Sequence, residues 1–157
     1  MRPADSTPRD FVLLRDHINT VGLNPLIGPH NPDWGPRFPD MTAVYTQHLR
    51  DVLHAAANRR ALRVMEGIYA FTSGPVFETP AEIHMYGHMG ADVVGMSTVP
   101  EAVFAHACGL QVAGLALVSN LAAGISPSPL CHEEVLAASQ AAKPAMANLI
   151  DDFVAAC

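Results

Sequence analysis

Charge is what this chain has least of. Asp, Glu, Lys and Arg together make up 15% of its 157 residues, against about 25% in a typical globular protein. Half of the sequence is apolar, at 50%, so disorder is excluded. A chain of this size with so little charge cannot cover its own surface with charged groups. The shortfall implies that part of the surface is covered by other subunits or by further polypeptide. The net charge is −6 and the nine Lys and Arg residues are scattered. No basic patch or aromatic-interleaved basic run is present, which argues against nucleic acid as a partner. No apolar run reaches the roughly 18 residues of a membrane helix, so no membrane partner is expected. Residues 1–10 hold two Arg, two Asp and two Pro and no apolar core of a secretory signal, and they read as a loose leader. Three cysteines, Cys108, Cys131 and Cys157, stand at unrelated spacings. They make neither a disulfide framework nor a CxxC metal site, which points to a reducing, cytoplasmic location. The histidines, such as His84, His88 and His106, match no metal-ligand spacing.

What the chain does have is strong strand and helix punctuation from Glu66 to Asn120. Three apolar runs, over residues 67–72, 91–95 and 111–119, read as strands. Each ends in a short polar cluster: 73–78, Met96-Ser97-Thr98, and Asn120. Between them, Thr79-Pro80-Ala81-Glu82 is a capping box with Pro at the first helical position. Thr98-Val99-Pro100-Glu101 repeats the spacing, and Gly90 and Gly109 suit the helix ends. Strand, capped helix, glycine and strand, repeated, predicts two parallel βαβ units in an α/β fold. Ligands of open α/β sheets bind beyond the carboxyl ends of the strands. On that rule Phe77, Glu78, Met96, Ser97 and Asn120 line one crevice.

Upstream, residues 11–14 read as a short buried strand. Residues 20–40 carry Asn24-Pro25, Gly28-Pro29, Asn31-Pro32 and Gly35-Pro36, and form a long irregular loop, a length usually reserved for function or an interface. Residues 42–60 have helical apolar spacing. The last helix starts near Cys131, with His132, Glu133 and Glu134 in its first turn, and Pro144 is expected to kink or split it.

Singly, the crevice residues have ordinary readings. Glu78 can serve as a helix cap, but Thr79 already fills that role, which frees the carboxylate for a ligand N–H. Phe77 is either core or a stacking surface for a flat ring. Asn120 is either a turn residue or a donor and acceptor to a ligand. Met96 is by default core filler, Ser97 a hydroxyl before the next cap, and His132 a solvated first-turn residue.

Several runs together resemble the trimeric purine nucleoside phosphorylases: 66–82, 90–101, Asp16-His17-Ile18-Asn19, 24–29, 37–41 and 132–136. They occur in the family's order and cover almost everything from Phe11 on. The resemblance implies a three-layer α/β sandwich with a mostly parallel central sheet, truncated to its C-terminal half, over residues 11–157. It implies phosphorolysis of 6-oxopurine nucleosides, inosine or guanosine, to free purine and ribose 1-phosphate. Phosphate is the co-substrate, and no metal or organic cofactor is implied. Carried over, Glu78 holds the purine N1–H and Asn120 donates to the leaving purine, the two catalytic positions. Phe77 packs on the base, Tyr69 lies near its pocket, Met96 lies under the ribose, His132 binds the 5′-hydroxyl and Ser97 the phosphate. Phe38 reaches a neighbouring subunit's ribose site in a homotrimer. An ionised Glu accepts N–H and repels a lone pair, so Glu78 with Asn120 favours 6-oxopurines over adenine. The family's Gly-rich phosphate loop, its phosphate-binding Arg and His and a second Ser have no match here. A separate N-terminal piece is therefore an expected partner. The alternative is a non-catalytic purine-binding remnant.

Overall fold

The computed structural model describes residues 10–126 and 128–157. Of the leader expected over residues 1–10, all but Asp10 lies outside these described residues. The run Phe11-Val12-Leu13-Leu14 is almost wholly buried and starts strand β1, Phe11–Asn19. β1 is longer than the four residues expected from its apolar content. A bulge between Leu14 and Asp16 puts Arg15 out of register and turns the polar second half outward. Helix α1 is Gln47–Arg59, followed by β2, Val64–Phe71, and α2, Pro80–His88. Then come β3, Val93–Gly95, α3, Val99–Ala107, β4, Gly114–Leu117, and α4, His132–Val154.

The strands form one sheet in the order β3-β2-β1-β4. β1 pairs with β2 and β2 with β3 in parallel, and β4 runs antiparallel to β1. Of the two βαβ units expected from the sequence, β2–α2–β3 forms, and the second does not. After α3 the chain is caught by the segment before α1: Thr46 N–H donates to Val112 O (2.8 Å), and Val112 N–H donates to the Thr46 hydroxyl (3.2 Å). That contact sends β4 along the far edge of β1 in the opposite direction. It also shortens two expected elements. Val44 and Tyr45 are buried ahead of α1 rather than inside it, with Tyr45 bridged to Val112.

Helices cover both faces, giving three layers. On one face Val12, Leu14, Tyr69 and Phe71 pack on Val99, Ala102 and Val103 of α3. On the other, Leu13 packs on Leu53 and Ala56 of α1 and Leu149 of α4, while Ala70 packs on Ile83 and Tyr86 of α2. Each fully buried aliphatic side chain contributes about 1.5–3 kcal/mol. A bidentate Arg60–Asp152 pair (2.6 and 2.8 Å) ties the end of α1 to α4.

The end signals read from the sequence are mostly realised. Thr79 and Glu82 form the full capping box of α2. Gly90 (φ 91°) and Gly109 (φ 79°) follow the caps of α2 and α3, and the next amides, Ala91 and Leu110, bond back to Tyr86 and Ala105. Pro144 neither breaks nor splits α4, which runs unbroken from His132 to Val154. Pro144 is exposed, and so is Gln140, whose carbonyl loses its intrahelical donor to the proline and is left to water. The irregular loop over residues 20–40 is pinned to α3. Trp34 packs edge-on against Phe104 (5.3 Å), and His106 Nε2 lies 2.9 Å from Asp40 O. The Arg37 guanidinium donates to the carbonyls of Leu26 and Gly28, which leaves Phe38 88% exposed.

Candidate functional site

At the carboxyl end of β2 the apolar run gives way to one buried polar side chain, Thr72, 6% exposed. Its amide donates to Gly95 O (2.9 Å), stitching the ends of β2 and β3 together. Its hydroxyl donates to Glu78 Oε1 at 2.8 Å. Gly95 O also lies 3.4 Å from that hydroxyl. That carbonyl is already served by the amide, and the shorter bond to a charged acceptor is the stronger. Because Thr79 caps α2 with Glu82 as its partner, Glu78 is not drawn into the helix. Glu78 and Phe77 line a small pocket of about 140 Å³ with Thr20, Thr72 and Gly74.

Gly74 also packs against a residue of a second space. It adopts φ 61°, and a Cβ there would lie 2.4 Å from Met96 Sδ, so Met96 packs directly over the glycine. Met96, Ser97, Tyr69 and Asn120 line a cleft of about 400 Å³. Its sides are the two outer strands, β3 and β4, with the loop after β4. The expected crevice across three carboxyl ends is thus replaced by a cleft running along the sheet, because β4 points the other way. The structure places Met96, Ser97, Tyr69 and Asn120 together there, and Phe77 and Glu78 together in the adjoining pocket. His132 is the exposed first residue of α4, one turn before Val135, which does line the cleft. Phe38 lines neither space.

The loop from β3 to α3 is tightly built. Tyr69 is 5% exposed, and its hydroxyl accepts from Ser97 N–H at 3.4 Å. Thr98 takes φ 76°, ψ −49°, a region that β-branched residues avoid, and Val99 N–H donates to Ser97 O (2.8 Å) to close a γ-turn. The Thr98 side chain makes no capping bond to α3 and instead lies 3.2 Å from the Ser97 hydroxyl. Strain of this kind costs about 1–3 kcal/mol and tends to be kept where a site needs it. Four residues of the site escape a reading of the sequence: Thr72, Gly74, Gly95 and Thr98. Their only advance signal is their position at the strand ends. A separate groove of about 390 Å³ over α2, lined by Pro80, Ile83, His84, Ala123 and Ile125, brings together no carboxylate, amide or hydroxyl side chain. Among the described residues no cluster of three or more His, Cys, Asp or Glu could hold a metal ion. Among the described residues no helix is long and apolar enough to cross a membrane.

Near this site, His17 on β1 is half-buried beside Tyr45, with Nδ1 3.2 Å from the phenol oxygen. Burial lowers the His17 pKa from 6.5, partly opposed by Asp16, and burial likewise raises that of Tyr45. A base whose folded pKa is lowered adds no penalty above its unfolded value. As pH falls below 6.5, the unfolded chain takes up a proton that the folded chain resists, and stability is lost. The urea midpoint is therefore expected to fall on going from pH about 7 to about 5.5, and less so in His17→Gln. The lowered carboxylates, Asp40, Glu82, Glu133 and Asp152, act only in a more acidic window, below about 4.5.

Residues 4–155 match the model of the phosphorylase superfamily. The chain belongs to that superfamily. It is 48% identical over 136 residues to purine nucleoside phosphorylase 1 of Geobacillus stearothermophilus, a match covering 87% of this chain and 50% of that one. It is 50% identical over 142 residues to the purine nucleoside phosphorylase of a Cellulomonas species, covering 90% of this chain and 46% of that one. The crystal structure of Schistosoma mansoni purine nucleoside phosphorylase in complex with inosine superposes with a TM-score of 0.92 at 38% identity, over 97% of this chain and 56% of that one. The chain thus spans about half the length of these phosphorylases, and its α/β fold is the corresponding part of theirs.

Proposed function

We propose that this chain supplies the purine- and ribose-binding half of a 6-oxopurine nucleoside phosphorylase. The observation that carries the reading is the Glu78 carboxylate, anchored by Thr72 beside Phe77, in a pocket whose Gly74 packs against Met96 of the cleft that holds Ser97 and Asn120. In the proposed reaction a phosphate oxygen bonds to the ribose anomeric carbon as the bond from that carbon to the purine N9 breaks. The bonding pair passes to the purine ring, which takes up a proton to leave as the free base. Glu78 accepts the N1–H that inosine and guanosine present and adenosine lacks, and Phe77 stacks on the base. Asn120 donates to the purine as negative charge develops there, where a placed donor helps most. Met96 and His132 serve the ribose and Ser97 the phosphate. Tyr69, being buried, acts by holding Ser97 through its backbone. Phosphate is a co-substrate, and no metal or organic cofactor takes part. The exposed Phe38 suits insertion into a neighbouring copy, in a cytoplasmic homotrimer. A second reading is favoured by one observation. Beside Ser97 the Val99 amide is already bonded to Ser97 O and Pro100 has no N–H, so few donors converge on a phosphate there, which favours a non-catalytic purine-binding remnant.

The test is phosphate-dependent release of hypoxanthine from inosine. It is run with the purified chain, shown folded by circular dichroism, alone and mixed with the N-terminal half of the Geobacillus stearothermophilus relative. Release is expected in the mixture, and Asn120→Ala should lower it about 10²–10³-fold. Hypoxanthine binding without release in either sample selects the remnant, and neither binding nor release overturns both readings.

A further inference from the structure

Thr72 is buried at the end of β2, 6% exposed, and among the described residues its hydroxyl is the only hydrogen-bond partner the structure gives the Glu78 carboxylate. The two are six residues apart, on opposite sides of the turn that carries Gly74 and Phe77. Thr72 is itself fixed on the sheet by its amide bond to Gly95 O. The carboxylate at the pocket is thereby tied to the rigid end of β2 and β3, not to the turn on which it stands.

We infer that Thr72 is a positioning residue that sets the base preference of this site toward purines without a 2-amino group. The inference rests on the proposed function, since it assumes that Glu78 meets a purine edge. A carboxylate presents two oxygens. Oε1 receives the Thr72 proton, and among the described residues Oε2 has no hydrogen-bond partner. Hypoxanthine offers a single N–H on this edge, at N1, and a fixed Oε2 serves it without reorganisation. Guanine offers two, at N1 and at the 2-amino group, and its second N–H must share Oε1 with the hydroxyl. Without Thr72 the carboxylate is free to rotate. A ligand with one N–H then loses the preorganised acceptor. A ligand with two N–H groups grips both oxygens, orients the carboxylate itself and gains the site that Thr72 vacates.

The experiment measures dissociation constants of hypoxanthine and guanine for the wild-type chain, Thr72→Val and Thr72→Ser by calorimetry. Thr72→Val should weaken hypoxanthine about tenfold or more and guanine clearly less, which moves the preference toward guanine, and Thr72→Ser should restore the wild-type ratio. An unchanged ratio in Thr72→Val, or an equal loss of both bases, overturns the inference while leaving the proposed function standing. Absence of binding to either base by the wild-type chain, both alone and mixed with the N-terminal half of the relative, overturns the proposed function, and this inference with it. The anchor is also read without any purine. The unfolding midpoints of Thr72→Val, Glu78→Ala and the double variant should be sub-additive, and strict additivity means the hydroxyl does not hold the carboxylate.

Discussion

Glu78→Ala should leave the chain folded and remove the proposed preference for 6-oxopurines. Glu78 is partly exposed, stands outside α2 and takes no part in the capping box. Its loss therefore leaves no helix end unsatisfied. The one buried group it orphans is the Thr72 hydroxyl, for which Gly95 O at 3.4 Å offers a fallback acceptor. The cost in stability is accordingly about 1 kcal/mol. For the ligand the balance is different. A hydrogen bond from N1–H to a charged acceptor contributes about 1.5–3 kcal/mol, so hypoxanthine should bind roughly 10–150-fold more weakly. Adenine, whose N1 lone pair the carboxylate repels, should be affected little or gain. Equilibrium binding of both bases to wild-type chain and variant checks this. A variant that binds hypoxanthine as the parent does would place the base elsewhere.

Gly95→Ala should be the more damaging change, and through the fold rather than through the ligand. A Cβ at Gly95 would stand 2.1 Å from the Tyr69 hydroxyl oxygen and 2.9 Å from the ring carbon that bears it. Tyr69 cannot swing aside, because its ring is packed with Val12, Leu14 and Val99 in the core between the sheet and α3. Overpacking of this kind costs about 1–3 kcal/mol. Displacing the phenol also strips Ser97 N–H of its acceptor. A loss of several degrees in the unfolding midpoint is expected, together with lower affinity for any ligand that contacts Ser97. Gly95→Ala with Tyr69→Phe is the informative companion. It removes the clashing oxygen and should recover part of the midpoint without restoring the Ser97 contact. An unaltered midpoint in Gly95→Ala alone would show that Tyr69 has room the packing does not suggest.

What could be read from the sequence was what local chemistry decides. Thr79 and Glu82 announce a helix start because the residue types that satisfy free amides are few, and Gly90 and Gly109 announce helix ends because few residues accept a positive φ. The direction of β4 has no such local signal. Its apolar run looks alike in either polarity, and the choice is made by the distant Tyr45–Thr46 segment. The same is true of Thr98, whose spacing before Glu101 imitates a cap, while in the fold its backbone is bent into a γ-turn. β1 was underestimated because Arg15, Asp16 and His17 read as the end of a strand, whereas a bulge carries the ladder past them. Thr72 is legible only in hindsight. Polar residues after a strand are common, and nothing in the sequence says that this hydroxyl turns inward toward a carboxylate six residues later.

The γ-turn at Thr98 also settles how many free donors the start of α3 can offer an anion. A helix N-terminus attracts phosphate through its unpaired amides. At α3 the first, Val99 N–H, is already spent on Ser97 O. The second position is Pro100, which has no N–H to give. The fourth, Ala102 N–H, returns to Thr98 O. Glu101 stands between them, and its own carboxylate brings negative charge into the same turn. On the proposed function, the site next to Ser97 is thus an incomplete oxyanion cradle. The proposed phosphorolysis needs its remaining positive donors from polypeptide beyond this helix.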